Sequence, residues 1–253
     1  MVSCRLAGGL GNQLFQIAAT HALSLRNNDT AGFNFETCYT PLQGNSSPKY
    51  RRSILSKINE VNVNFNTIYN EPKFSYCEIP YSNSLLLNGY FQSEKYFVDF
   101  KDDIIKLFEL PSDSKNKVRD FFNWWGINDK PITSIHIRRG DYLNNPNFHP
   151  ICSMEYYSKA MENIGDSYFI IISDDMDWVK KNFNGKNIVF PSFDDEIDDL
   201  TLMTLCDNNI IANSSFSWWG AYLNINKNKK IIAPKDWFGH LGPKDVSDII
   251  PDT

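Results

Sequence analysis

Tyr168-Phe169-Ile170-Ile171-Ile172-Ser173-Asp174-Asp175 is the stretch whose reading decides the fold. Five apolar residues in a row, closed by Ser-Asp-Asp, read as a strand buried on both faces that hands over to a capped helix. Downstream, Asn187-Ile188-Val189-Phe190, Asn209-Ile210-Ile211-Ala212 and Lys230-Ile231-Ile232-Ala233 repeat the pattern. Their starts lie roughly twenty residues apart, the pitch of one strand plus one short helix. Helical patterns over residues 175–183, 197–206 and 216–224 fill the gaps, starting around Asp or Ser as helix N-termini do. Alternating strands and helices with continuous apolar strands predict a parallel sheet covered on both faces.

The amino-terminal half is less regular. Residues 2–7 read as a strand, 8–11 as a glycine turn, and 12–26 as a helix whose Leu14, Phe15, Ala18, Ala22 and Leu25 form one apolar stripe. Leu85-Leu86-Leu87 and Gly89-Tyr90-Phe91 are expected to form a buried strand. Ser93 is expected to cap a helix that carries Phe97, Phe100, Ile104 and Leu107 and ends at Pro111. A boundary near residues 111–130 follows, and we divide the chain into domains 1–115 and 116–253. Residues 38–50, rich in Pro, Gly, Asn and Ser, read as a long loop.

With 253 residues, 42% apolar and 22% charged, the chain is expected to bury a core and not to be disordered or fibrous. A net charge of −5 with only two short cationic runs, 49–52 and 227–230, argues against a nucleic-acid partner. Five cysteines without a C-x-x-C pair suggest reduced, buried thiols. No signal peptide or apolar span of membrane length is evident, so the expectation is a cytoplasmic protein without an integral membrane anchor. The sequons at Asn28, Asn45 and Asn213 then carry no weight.

The stretch 132–142 is the most informative for chemistry. Ile135 and Ile137 alternate with His136 and Arg138, so the last two share one strand face, and Arg139-Gly140-Asp141 turns the chain. Two arginines at the carboxyl end of a parallel strand suit a diphosphate, because guanidinium forks match phosphate oxygens. The plainer alternative is surface ion pairing by the arginines and a satisfied core histidine. Asn213-Ser214-Ser215-Phe216-Ser217 follows a later strand and reads as an anion cradle or an ordinary N-cap. Ser173-Asp174-Asp175 places carboxylates at the same sheet edge, for base amino groups, ribose hydroxyls or helix capping. Asp175-Met176-Asp177 also spells D-x-D, a metal-holding pattern that the arginines would make redundant.

Gly8-Gly9-Leu10-Gly11-Asn12-Gln13 turns a strand into a helix and suits a phosphate or sugar, without the spacing of a dinucleotide fingerprint or a P-loop. The acidic run 193–199 reads as a solvated helix start. Phe121, Phe122, Trp124, Trp125, Trp218 and Trp219 read as core or interface aromatics.

Taken together and in order, these motifs resemble the α-1,2-fucosyltransferases of glycosyltransferase family 11. The matching stretches are 8–16, Gly89-Tyr90-Phe91-Gln92-Ser93, His136-Ile137-Arg138-Arg139-Gly140-Asp141-Tyr142, Ser173-Asp174-Asp175 and 213–220. The resemblance implies a GT-B fold, two Rossmann-like domains facing across a cleft, with GDP-fucose held mainly by the second and a galactose-containing glycan acceptor by the first. It implies metal-independent, inverting transfer with no cofactor beyond the donor. Arg138 and Arg139 would meet the diphosphate, Asp174 or Asp175 the guanine, and Asn213, Ser214, Ser215 and Ser217 the phosphates and ribose. Gly9 and Gly11 would bind the donor, Asn12 would lie in the cleft near the reacting sugar, and Asp141, or else His136, would take the acceptor proton. A same-fold transferase with another donor or linkage, or a binding module without turnover, are the competing expectations.

Overall fold

The computed structural model describes residues 1–36, 50–127 and 129–251. The loop expected over 38–50, except Tyr50, and the sequon at Asn45 lie outside them. Two compact units form, one from Met1–Glu109 with the chain end from Asp245, the other from Leu110–Lys244. The expected division at residue 115 therefore falls inside a helix, Ser112–Trp124, and the last residues leave the second unit for the first.

In the first unit a parallel sheet has the order β1-β3-β2, with β1 Val2–Cys4, β2 Thr67–Asn70 and β3 Leu85–Asn88. Its β1 edge continues through single bridges from Val2 to Ala31 and from Phe33 to Glu60. β3 alternates, with Leu85 and Leu87 buried and its other two residues half-buried. Gly89-Tyr90-Phe91 does not continue the strand but turns, with Phe91 at φ +53°. Helix α1 spans Leu10–Arg26 and is buried on more than the expected stripe, because Gln13, Gln16, Thr20 and Ser24 are enclosed as well. Thr20 and Ser24 satisfy their hydroxyls on the carbonyls of Gln16 and His21, at 2.7 and 2.8 Å. The helix expected after Ser93 is broken into two 3₁₀ turns and α2, Lys101–Leu107. Ser93 still caps the first turn, accepting from Lys95.

The second unit is the regular one. Here α3 (Ser112–Trp124) precedes β4 (Ile132–Ile137), α4 (Met154–Ile164), β5 (Tyr168–Ser173), α5 (Met176–Asn182) and β6 (Ile188–Val189). Then come α6 (Glu196–Leu205), β7 (Asn208–Ile210), α7 (Ser215–Tyr222) and β8 (Ile231–Ile232). All five strands are parallel, in the order β6-β5-β4-β7-β8. The chain thus winds outward from β4 in one direction, returns to its other side at β7, and leaves a switch point between the two. Ile135, Ile137, Phe169 and Ile171 pack on one face against Tyr157 and Ala160 of α4 and Val179 of α5. On the other face α6 and α7 meet so closely that a Cβ on Gly220 would stand 2.6 Å from the Met203 sulfur. Two asparagines tolerate β7 because Asn209, fully buried, donates to Ser134 Oγ and the Met203 carbonyl, both at 2.8 Å. Helices α3 and α4, absent from the sequence reading, bury few residues, Ser114 and Val118 in the first and Tyr157 and Ala160 in the second.

Candidate active site

The carboxyl ends of β4 and β7 meet at the switch point. Arg138 leaves β4 half-buried and is held from two sides, by Asp141 at 2.7 Å and by Asp174 at 3.1 Å. Asp174 follows β5, and its other oxygen accepts the backbone N–H of Arg139 at 2.9 Å. That approach requires Gly140, where a Cβ would lie 2.6 Å from Asp174 Oδ2. Arg139 turns to Asp175, bonding through Nε at 3.0 Å, and its Cζ lies over the Trp178 ring, 3.9 Å from the ring centre. Asp175 at the same time caps α5 by accepting from the Trp178 N–H at 3.1 Å. The Arg139 bond, then that cap, holds its carboxyl below the usual range.

This geometry divides the sequence expectations. Arg138, Arg139, Asp141, Asp174 and Asp175 come together, but the acids face the guanidiniums. Asp174 and Asp175 each use both oxygens within the protein, Asp174 on Arg138 and the Arg139 N–H, Asp175 on Arg139 Nε and the Trp178 N–H. Among the described residues, no group of three or more His, Cys, Asp or Glu side chains is arranged to hold a metal ion.

On the β7 side, the Tyr142 hydroxyl donates to the Asn213 carbonyl at 2.9 Å and so joins the two strand ends. The Asn213 amide donates to the carbonyls of Pro150 and Trp237, at 2.9 and 3.0 Å, and so clamps two loops. The fully buried Ser217 hydroxyl faces the Ala212 and Ser214 carbonyls. Ser214 is the buried N-cap of α7, without a side-chain cap bond and with its N–H donating to the Ala212 carbonyl at 2.8 Å, and Ser215 opens the helix. His136 is 5% exposed beside Phe216, and burial, then Arg138, pushes its pKa down to about 4.

Gly9, Gly11 and Asn12 belong to the first unit. Gly9 caps α1 in an extended conformation, and Gly11 is buried within the first turn. The close approach falls instead at Gly8, at φ +77° with the Asn12 amide 2.4 Å from where a Cβ would stand. Asn12 Oδ1 accepts from Gln92 at 2.7 Å. Trp178 and Tyr142 are the functional neighbours that sequence reasoning missed. Tyr142 stood inside the quoted motif, whereas nothing local marks Trp178 as a partner of Arg139.

Comparison with solved structures defines the class. NodZ alpha-1,6-fucosyltransferase co-crystallized with GDP aligns over 87% of this chain and 91% of its own, with a TM-score of 0.55 at 13% identity. POFUT1 in complex with GDP aligns over 92% and 96%, with a TM-score of 0.54 at 14% identity. The fold is therefore α/β of the GT-B type.

The sequence then places the chain more narrowly. The family model for glycosyl transferase family 11 matches residues 1–239. The O-antigen biosynthesis glycosyltransferase WbnK of Escherichia coli is 33% identical over 94% of this chain and 95% of that protein. An alpha-1,2-colitosyltransferase of Escherichia coli is 31% identical over 94% and 92%. Galactoside alpha-(1,2)-fucosyltransferase 2 of Sus scrofa is 26% identical over 85% and 67%. The chain belongs to glycosyltransferase family 11, and the arginine cluster sits where open α/β sheets bind ligands.

Proposed function

We propose that this glycosyltransferase moves L-fucose from GDP-fucose to the 2-hydroxyl of a terminal galactose in a glycan, with inversion at the anomeric carbon. The observation that carries the reading is Arg138, held by two carboxylates at the switch point with its side chain 30% exposed. Departure of GDP builds negative charge on the diphosphate, and a fixed cation stabilises what changes in the reaction. In this reading Ser214 and Ser215 place the α7 N-terminus, whose dipole favours an anion, beside the phosphates. Asn12, with Gly9 and Gly11 in its turn, belongs beside the reacting sugar. Asp141 takes the acceptor proton and has the second task of orienting Arg138. Arg139 supports the cluster from behind through Asp175 and Trp178.

Trp178→Ala tests that last assignment. Losing the stack frees Arg139 and with it the Asp174 contact to its backbone. GDP affinity, measured by calorimetry, is expected to fall about tenfold, in line with a desolvated cation–π contact of ~1–2 kcal/mol. An unchanged affinity would return Arg139 to a surface role.

The whole reading is tested by incubating the protein with GDP-fucose and a panel of β-galactosides in the presence of EDTA. Transfer of one deoxyhexose is expected, with the linkage read by NMR. Activity that appears only with added manganese would sink the metal-independent mechanism. A second reading, the same reaction with another donor sugar, is favoured by the 31% identity to a colitosyltransferase. Competition among GDP-sugars in the same assay decides it. GDP binding without any turnover would mark a binding module. A cytoplasmic location is part of the proposal, supported by Cys4, Cys77, Cys152 and Cys206 standing as free thiols. No helix among the described residues is long and apolar enough to cross a membrane.

A further inference from the structure

In the first unit, the chain leaves β2 at Glu71. The Glu71 carboxylate accepts the N–H of Tyr90 at 2.7 Å through Oε2 and that of Phe91 at 3.0 Å through Oε1. Both bonds go to one turn, and the turn is shaped around them. A Cβ on Gly89 would stand 2.6 Å from Glu71 Oε2, and Phe91 accepts a positive φ. The turn is also tied to the start of α1. Gln16 donates to the Gly89 carbonyl at 2.9 Å and accepts from the Ala7 N–H at 3.0 Å. Gln92, the next residue of the turn, donates to Asn12 at 2.7 Å. One chain of contacts therefore runs from carboxylate to turn to Asn12.

We propose that Glu71 is a positioning residue: its ionised carboxylate fixes the 89–92 turn and, through Gln92, the side chain of Asn12. The proposal rests on the reading that places Asn12 beside the reacting sugar. The titratable groups that face Glu71 are Cys4 of β1, Tyr69 of β2 and Tyr96 of the 3₁₀ turn. Cys77 and Tyr76 lie against Tyr96 in turn. All of these are thiols and phenols, none a cation that would hold the carboxylate charged. Burial pushes the Glu71 pKa up to about 7, with the two backbone N–H bonds opposing it. Below that pH one oxygen carries a proton, and the neutral acid is a weaker acceptor for two N–H groups. The turn loosens as pH falls through the neutral range, and Asn12 loosens with it.

Glu71→Gln reproduces the loosened state at every pH, because its amide sets an N–H donor against a backbone N–H. Its kcat/KM toward the acceptor is expected to fall about thirtyfold, the scale of a misplaced positioning group. The KM for the nucleotide sugar is expected to stay unchanged, and the acid limb of the wild-type pH profile near 7 to vanish. An acid limb that persists in the variant overturns the proposal. NMR without substrates gives a second readout. The backbone amides of Tyr90 and Phe91 and the side-chain amides of Gln92 and Asn12 are expected to titrate together near pH 7 in wild type and not in Glu71→Gln. If the Gln92 and Asn12 signals stay still while Tyr90 and Phe91 move, Glu71 only braces the turn and the proposal fails. Absence of sugar transfer by wild type at any pH, with the joint titration intact, would instead count against the fucosyltransferase reading.

Discussion

Arg138→Ala is expected to lower kcat by two to three powers of ten, on the order of 3–4 kcal/mol of transition-state stabilisation. The size follows from geometry rather than from charge alone. Arg138 projects from the central strand, and two carboxylates on different loops, Asp141 and Asp174, set its plane. A cation already aimed at the departing diphosphate needs no rearrangement when charge develops. Removing it also leaves Asp141 and Asp174 near each other without the positive group between them, and their field then repels the leaving group. Arg138→Lys is expected to recover little, because an ammonium cannot reach both acids and a phosphate with one fixed fork. Steady-state rates together with GDP calorimetry check the claim. A variant within tenfold of wild type in kcat, with its fold intact, would remove Arg138 from the reaction.

The second large effect concerns stability. Asp199→Asn is expected to stabilise the protein by about 2–4 kcal/mol at pH 8 and by nothing at pH 4. Asp199 sits in the first turn of α6, where burial, followed by the charges of Asp198, Glu196 and Asp195, pushes its pKa up to about 7. The folded state therefore keeps a proton that the unfolded chain gives up near pH 4. Between those limits the native state binds more protons, so stability declines as pH rises and the loss is complete above about 7. Asparagine removes the charging cost while losing a favourable dipole contact of ~0.5 kcal/mol. Urea unfolding of both proteins at pH 4 and pH 8 decides it, and parallel curves at both pH values would refute the burial argument.

That same acidic run shows where local reading stopped. As a sequence, 193–199 reads as a solvated helix start, and Asp195 does cap α6 by accepting from Ile197 at 2.9 Å. Packing of α6 against α3 then encloses Asp198 and leaves Asp199 half-buried. Asp198 is 3% exposed and paired with Lys117 of α3 at 2.9 Å. Because α3 was not legible, its lysine could not be anticipated. The glycine turn shows the same limit. The motif marked Gly9 and Gly11, yet the constrained position is Gly8, because the Asn12 side chain folds back over it.

What the sequence determined by itself was whatever repeats over short range. Continuous apolar runs set the strands of the second unit and their parallel pairing, since a strand buried on both faces leaves little else. The ordered motifs placed the arginines, the acids and the serines at strand ends and pointed to family 11. What only the tertiary structure decided was which of these groups meet. Asp174 reaches Arg138 because β5 lies beside β4, and Tyr142 reaches Asn213 because β7 lies on the other side. Ser217 turns inward because α7 packs its first turn onto the sheet. Periodicity encodes which face of an element is dry. Partners far apart in the chain, and the charges that packing strips of water, depend on the order in which the elements are laid side by side.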